Sequence, residues 1–150
     1  TRAAELIAAR RAELVAGDGI AAHTSTKSSD VDPVTEVDTA TEEFIATTIR
    51  TQRPGDGIFG EEGANVESTS GVTWIVDPID GTVNFLYGVP DFAVSIGAEY
   101  QGRLVAGAVV NVARGRTYAA AAGQAPRSPA RTGRRTHCSA PTPKIPRWHW

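Results

Sequence analysis

The chain has 150 residues, 41% of them hydrophobic and 21% charged, with a formal net charge of −2. That length and balance fit one globular domain with a real core and exclude a disordered or fibrous chain. No apolar run approaches the ~20 residues that cross a bilayer, no secretory signal pattern is read, and a single cysteine, Cys138, excludes an internal disulfide framework and a thiolate zinc cluster.

One cysteine also fits a reducing compartment, and the expectation is a cytoplasmic protein without membrane contact. The charge is unevenly spread. Residues 1–121 carry all 17 acidic residues and 9 of the 15 basic ones, whereas residues 122–150 carry six basic residues and no acid. The acidic body is a poor candidate for nucleic-acid binding.

In chain order, residues 2–16 are strong helix formers with Leu6, Ile7, Leu14 and Val15 on one face, closed by Gly17-Asp18-Gly19. Thr1 already stands within that pattern, so the natural start is expected to lie upstream. The polar stretch from Thr24 to Val34 makes Lys27 an exposed loop lysine. Thr39-Ala40-Thr41-Glu42 fits a capping box, with Phe44, Ile45 and Ile49 following at helical spacing, so a second helix is expected from Thr39 to about Arg53. Asp38 then sits just ahead of the helix start. It is either a carboxylate favoured by the helix dipole or a group reaching a metal-bound water.

After the turn at Pro54-Gly55-Asp56-Gly57, a short strand Ile58-Phe59 runs into Gly60-Glu61-Glu62-Gly63. A second apolar strand, Trp74 to Val76, runs into Asp77-Pro78-Ile79-Asp80-Gly81-Thr82. Pro78 removes a donor and is expected to stop the strand, while Gly81 and Thr82 open a short helix whose free N–H groups suit an anion. Carboxylates beside an anion site repel that anion unless a hard cation lies between, and oxygen-only ligands favour Mg²⁺, Mn²⁺ or Ca²⁺. If both strands end at one edge of one sheet, Glu61, Asp77 and Asp80 converge. The competing reading is an ordinary strand-to-helix turn capped by Asp80. Residues 92–112 read as an antiparallel hairpin about Gln101-Gly102, with a third strand from Arg116 to Ala120.

Lys27-Ser28-Ser29, Asp38, Gly60-Glu61-Glu62 and the run from Trp74 to Phe85, in this order, resemble the inositol monophosphatase family of Mg²⁺-dependent, lithium-sensitive phosphatases. The resemblance covers roughly the first four-fifths of the chain. It implies an α+β fold with two helices packed on an antiparallel sheet, the N-terminal half of a layered α-β-α-β-α sandwich. It further implies that Glu61, Asp77 and the Ile79 carbonyl hold one Mg²⁺, and that Asp77 and Asp80 hold a second. The Gly81 and Thr82 amides would bind phosphate, Thr82 and Glu61 would orient the attacking water, Asp38 would join the catalytic groups through a metal-bound water, and Glu62 and Lys27 would be supporting groups. The implied reaction is hydrolysis of a polyol phosphate monoester, inositol monophosphate above all, by an enzyme commonly found as a homodimer.

The family's later Trp-Asp-x-Ala-Ala-Gly-like segment, which brings a further aspartate, has no counterpart here. Residues 1–121 are therefore read as the family-like domain and 122–150 as a Pro/Arg-rich, poorly ordered tail. A truncated or frame-shifted reading of a longer protein would account for that end. His137, Cys138 and His149 lack finger spacing, and the arginines with Trp148 and Trp150 suit a disordered end better than a nucleic-acid patch. The rival to the phosphatase is an inactive fragment that binds metal or a partner chain through an uncovered apolar face. A related enzyme acting on histidinol phosphate or a sugar bisphosphate is the other alternative.

Overall fold

The computed structural model describes residues 2–16 and 33–124. Lys27 and the tail from residue 125 onward lie outside the described residues. Helices α1 (Arg2–Ala16), α2 (Pro33–Gln52) and α3 (Thr82–Tyr87) accompany strands β1 (Gly57–Gly60), β2 (Asn65–Val66), β3 (Val72–Asp80), β4 (Ala93–Tyr100), β5 (Arg103–Asn111) and β6 (Arg116–Ala121). The strands form one sheet in the order β2-β1-β3-β4-β5-β6. Its ladders are antiparallel except for β1 with β3, which run parallel. The α+β architecture thus rests on a mixed sheet. The hairpin turns at Gln101 and Gly102, whose φ values of 49° and 76° suit the right-handed twist of the flanking strands.

Helix α1 forms where its helix-forming residues predict, but its buried stripe differs. Ala3, Ala4 and Ile7 are buried and Leu14 packs beside them, whereas Val15 points to solvent. Small alanines let α1 lie close to the core, and Arg11 completes the stripe. Its Nε donates to the Phe85 carbonyl at 3.0 Å, and its guanidinium lies 5.8 Å from the Phe85 ring centre and 5.9 Å from that of Phe92.

Helix α2 begins at Pro33, six residues before the capping box at Thr39. Proline suits a first helical turn. Burial of Val34, Val37, Thr41, Ile45, Ala46 and Ile49 along one face outweighs the weak helix propensity of its β-branched residues. Thr41 therefore sits inside the helix, its hydroxyl donating to Val37 O at 2.7 Å. Asp38 is a residue of the second turn rather than a group ahead of the helix. Glu42, only 3% exposed, accepts the backbone N–H groups of Glu62 at 2.8 Å and Ala64 at 2.7 Å. It clamps the β1–β2 loop to the helix. Gly60 leaves room beside it, because a Cβ there would push the Glu42 carboxylate out of this position.

Strand β3 does not stop at Pro78. It continues to Asp80, with a register shift between Asp77 and Asp80 that accommodates the proline's missing donor. Gly81, at φ 90°, then turns the chain into α3. The core lies between α1, α2 and the sheet face bearing Ile58, Val76, Val94 and Val110. On the opposite face Phe59, Ile75, Leu104, Val109 and Tyr118 are exposed.

Asp56 anchors the near end of β3. It accepts Arg53 Nε at 2.8 Å, Ser70 Oγ at 2.6 Å and Trp74 Nε1 at 2.8 Å. Burial pushes its pKa up, but these hydrogen bonds and the Arg53 charge outweigh burial and hold the carboxyl below its ordinary value. Asp56→Asn is expected to cost about 2 kcal/mol in urea unfolding at pH 7, since buried donors lose a charged acceptor. A depressed folded pKa stabilises above the unfolded value of about 3.9 and is lost as pH falls through the folded one, so the gap between variant and parent should narrow as pH drops below about 4. Glu42→Gln should cost about 1–3 kcal/mol, and amide exchange at Glu62 and Ala64 should quicken more than elsewhere; equal protection in both proteins would remove the clamp.

Candidate active site

The parallel pairing of β1 and β3 aligns Gly57 with Thr73 and Gly60 with Val76. Both strands therefore point their C-terminal ends the same way. The pairing extends one step further, because Glu61 N donates to Val76 O at 3.2 Å. Glu61 is thereby set beside Asp77. Helix α2 contributes Asp38 from above the same edge, and Glu62 follows on the loop held by Glu42.

These carboxylates crowd one another. Burial, then the charges of Glu62, Glu61, Asp77 and Glu42, raise the Asp38 pKa to about 7. Burial, then the charge and hydrogen bonding of Glu61 and the charge of Asp80, raise that of Asp77 to about 6, against the Ile79 N–H that lowers it. Asp38, 7% exposed, has its Oδ1 buried without a hydrogen-bond partner, and so has Asp77. Two orphaned carboxylate oxygens among like charges are unfavourable for the polypeptide alone. They fit a hard divalent cation nearby, whose charge would offset theirs. Among the described residues no three His, Cys, Asp or Glu side chains already form a metal-ligand group.

The turn after β3 completes the edge. Asp80 is exposed at the strand end, and Thr82 Oγ1 donates to the Ile79 carbonyl at 3.1 Å, leaving that oxygen its second lone pair. No side chain caps α3 at Gly81, while Phe85 N closes the first turn on Gly81 O at 3.0 Å. A Cβ at Gly81 would lie 3.0 Å from Asp91 O, so both the left-handed φ and the close approach require glycine. Asn84 Nδ2 donates to Asp91 O at 2.8 Å and fixes the loop behind this turn.

The structure thus gathers Asp38, Glu61, Glu62, Asp77, Ile79, Asp80, Gly81 and Thr82 at one sheet edge. Glu62 is exposed and receives a weak 3.4 Å hydrogen bond from Thr39 Oγ1. In the sequence Glu42 entered only as the last residue of a capping box, not as a group behind the site. Its signal was a glutamate four residues after Asp38 on the face that also carries Thr41 and Ile45, where a carboxylate needs a buried partner.

Among the described residues no helix is long and apolar enough to cross a membrane. The inositol-1-monophosphatase SuhB of Mycobacterium tuberculosis is 52% identical over 130 residues, which are 81% of this chain and 44% of that protein. The solved structure of M. tuberculosis SuhB superposes with a TM-score of 0.70 over 89% of this chain and 45% of the other, at 44% identity. A Pseudomonas aeruginosa protein named Nus factor SuhB is 42% identical over 72% of this chain and 40% of its own length, and a histidinol-phosphatase of Chlorobaculum parvum is 44% identical over 63% and 36%. The chain thus spans less than half the length of the curated relatives it matches. Residues 1–142 match the inositol monophosphatase family, and the chain belongs to that family.

Proposed function

We propose that this chain carries the metal and phosphate edge of a Mg²⁺-dependent phosphatase acting on a polyol phosphate monoester, inositol monophosphate being the favoured substrate. The observation that carries this reading is the pair of orphaned oxygens on Asp38 and Asp77, beside Glu61. Glu61, Asp77 and the Ile79 carbonyl would hold one Mg²⁺, and Asp77 with Asp80 a second. Bound there, the ions would supply charge neutralisation for phosphate and a lowered pKa for water.

The chain's own groups do the rest. Amides of Gly81 and Thr82 would bind the phosphate oxygens, the glycine letting the ligand approach the backbone. Thr82 and Glu61 would orient the attacking water. Asp38 would act through a water at the site, and Glu62 and Lys27 would be supporting groups. Homodimerisation and lithium inhibition belong to the same proposal and rest on the family resemblance, whereas cytoplasmic location rests on the single cysteine and the division at residue 121 on the change of composition there.

The test is inorganic phosphate release from inositol 1-phosphate by the purified chain with and without Mg²⁺, with histidinol phosphate and lithium in parallel. Mg²⁺-dependent release is expected, and Asp80→Asn should lower it by at least about a hundredfold with the melting temperature nearly unchanged. Unchanged turnover in that variant refutes the site assignment. Saturable Mg²⁺ binding by calorimetry without release would instead favour a metal-binding chain that does no chemistry, and faster release from histidinol phosphate would reassign the substrate.

A further inference from the structure

On the α3 side of the carboxylate edge lies a cavity of about 520 Å³, within the usual size of small-molecule sites. Its near wall is Asp80 and Gly81, the groups placed against metal and phosphate above. Its far wall is formed by Arg114, Arg116 and Tyr118 from the β5–β6 turn and the start of β6, with Asn84 and Asn111 between. The sheet register brings these walls together. Asp80 pairs with Ala93, Ala93 with Asn111, and Asn111 with Arg116, so a single row across three ladders runs from the carboxylate to the guanidinium.

The far wall is held in shape by its own hydrogen bonds. Arg114 Nε donates to Pro90 O at 3.0 Å, Arg114 N to Asn111 Oδ1 at 2.8 Å, and Asn111 Nδ2 to Asp91 Oδ1 at 3.1 Å. Asp91, the other carboxylate of the lining, is thus tied to Asn111. Arg114 is committed through Nε to the loop. Among the described residues, neither Arg114 nor Arg116 is in an ion pair. The body of residues 1–121 has nearly twice as many acidic as basic residues, so two arginines left unpaired by them in one cavity are informative.

We propose that this cavity receives the part of the substrate beyond the scissile phosphate, and that Arg116, seconded by Arg114, selects esters bearing a second anionic group, a phosphate or a carboxylate, on the alcohol. The inference rests on the reading of Asp80 and Gly81 given above and refines its substrate, an ester with a second anionic group taking the place of inositol monophosphate as the better one. Arginine suits the role, because its planar fork grips a phosphate or carboxylate through two hydrogen bonds at once. The Tyr118 hydroxyl and the Asn84 amide supply neutral hydrogen bonds for a hydroxylated carbon frame between the two charges.

The test compares inositol 1-phosphate with inositol 1,4-bisphosphate on the purified chain, by phosphate release in Mg²⁺ and by calorimetric binding. The bisphosphate is expected to have the higher kcat/KM and the tighter Kd. Arg116→Gln should lower the bisphosphate-to-monophosphate ratio about tenfold, chiefly through KM, a change of about 1.4 kcal/mol. Arg116→Lys, which keeps the charge without the fork, should restore part of the ratio. A ratio that Arg116→Gln leaves unchanged while the monophosphate is hydrolysed overturns the selectivity and leaves the phosphatase reading standing. Bisphosphate binding that depends on Arg116, in the absence of any turnover, supports the anion wall while overturning that reading. No binding of either ester overturns both.

Discussion

The constraint on which this structure turns is the parallel pairing of β1 with β3. Antiparallel neighbours would send Glu61 and Asp77 to opposite edges of the sheet. Parallel ones, joined one residue further by the Glu61 N–H to Val76 O bond, bring them side by side. Like charges in contact and partly buried oppose folding, and the raised pKa values of Asp38 and Asp77 express that opposition. A chain that places repelling groups together needs other contacts to hold them. Here they are the Glu42 clamp on the β1–β2 loop, the Asp56 anchor at the start of β3, and the apolar layer between α2 and the sheet.

The same economy appears around α3. This helix is six residues long, too short to be stable alone, and it is fastened at both ends. Gly81 opens it in a conformation only glycine adopts easily, with Asp91 O against it, and Arg11 reaches from α1 to the Phe85 carbonyl near its other end. The Phe85 and Phe92 rings meet edge to face at 5.4 Å beneath that arginine. Helix α1, which carries no site residue, thus fixes the turn that presents the amides of Gly81 and Thr82. Rigidity at the candidate site comes from a layer of contacts behind it.

The two ends of the sheet edge differ in character. Toward β1 the groups are carboxylates, which suit a cation. Toward β6 they are arginines, amides and a tyrosine, which suit an anion or a hydroxylated frame. Membership in the inositol monophosphatase family accounts for the first end, since the motifs that carry the family likeness lie there. The second end is built from the β5–β6 turn, where no motif drew attention.

How much of this was legible beforehand follows from the range of the forces involved. Helix α1, the hairpin about Gln101-Gly102 and the carboxylates at the strand ends are local features, set by propensity, turn chemistry and short apolar runs, and the residues alone determined them. The family, too, was readable from Lys27-Ser28-Ser29, Asp38, Gly60-Glu61-Glu62 and the run from Trp74 to Phe85, particular residues in a fixed order and spacing. Tertiary structure decided the rest. Helix α2 starts at Pro33 rather than Thr39 because packing of Val34 and Val37 outweighs a local capping signal, and that moved Asp38 from a helix end to a buried turn. Strand β3 passes Pro78 because its neighbour absorbs the irregularity with a register shift. Glu42, and the cavity wall of Arg114 and Arg116, emerged only when residues 20 or more positions apart were brought into contact. A hydrogen bond or charge acts over a few ångströms in space, and sequence spacing reports such distances only within one helix, strand or turn.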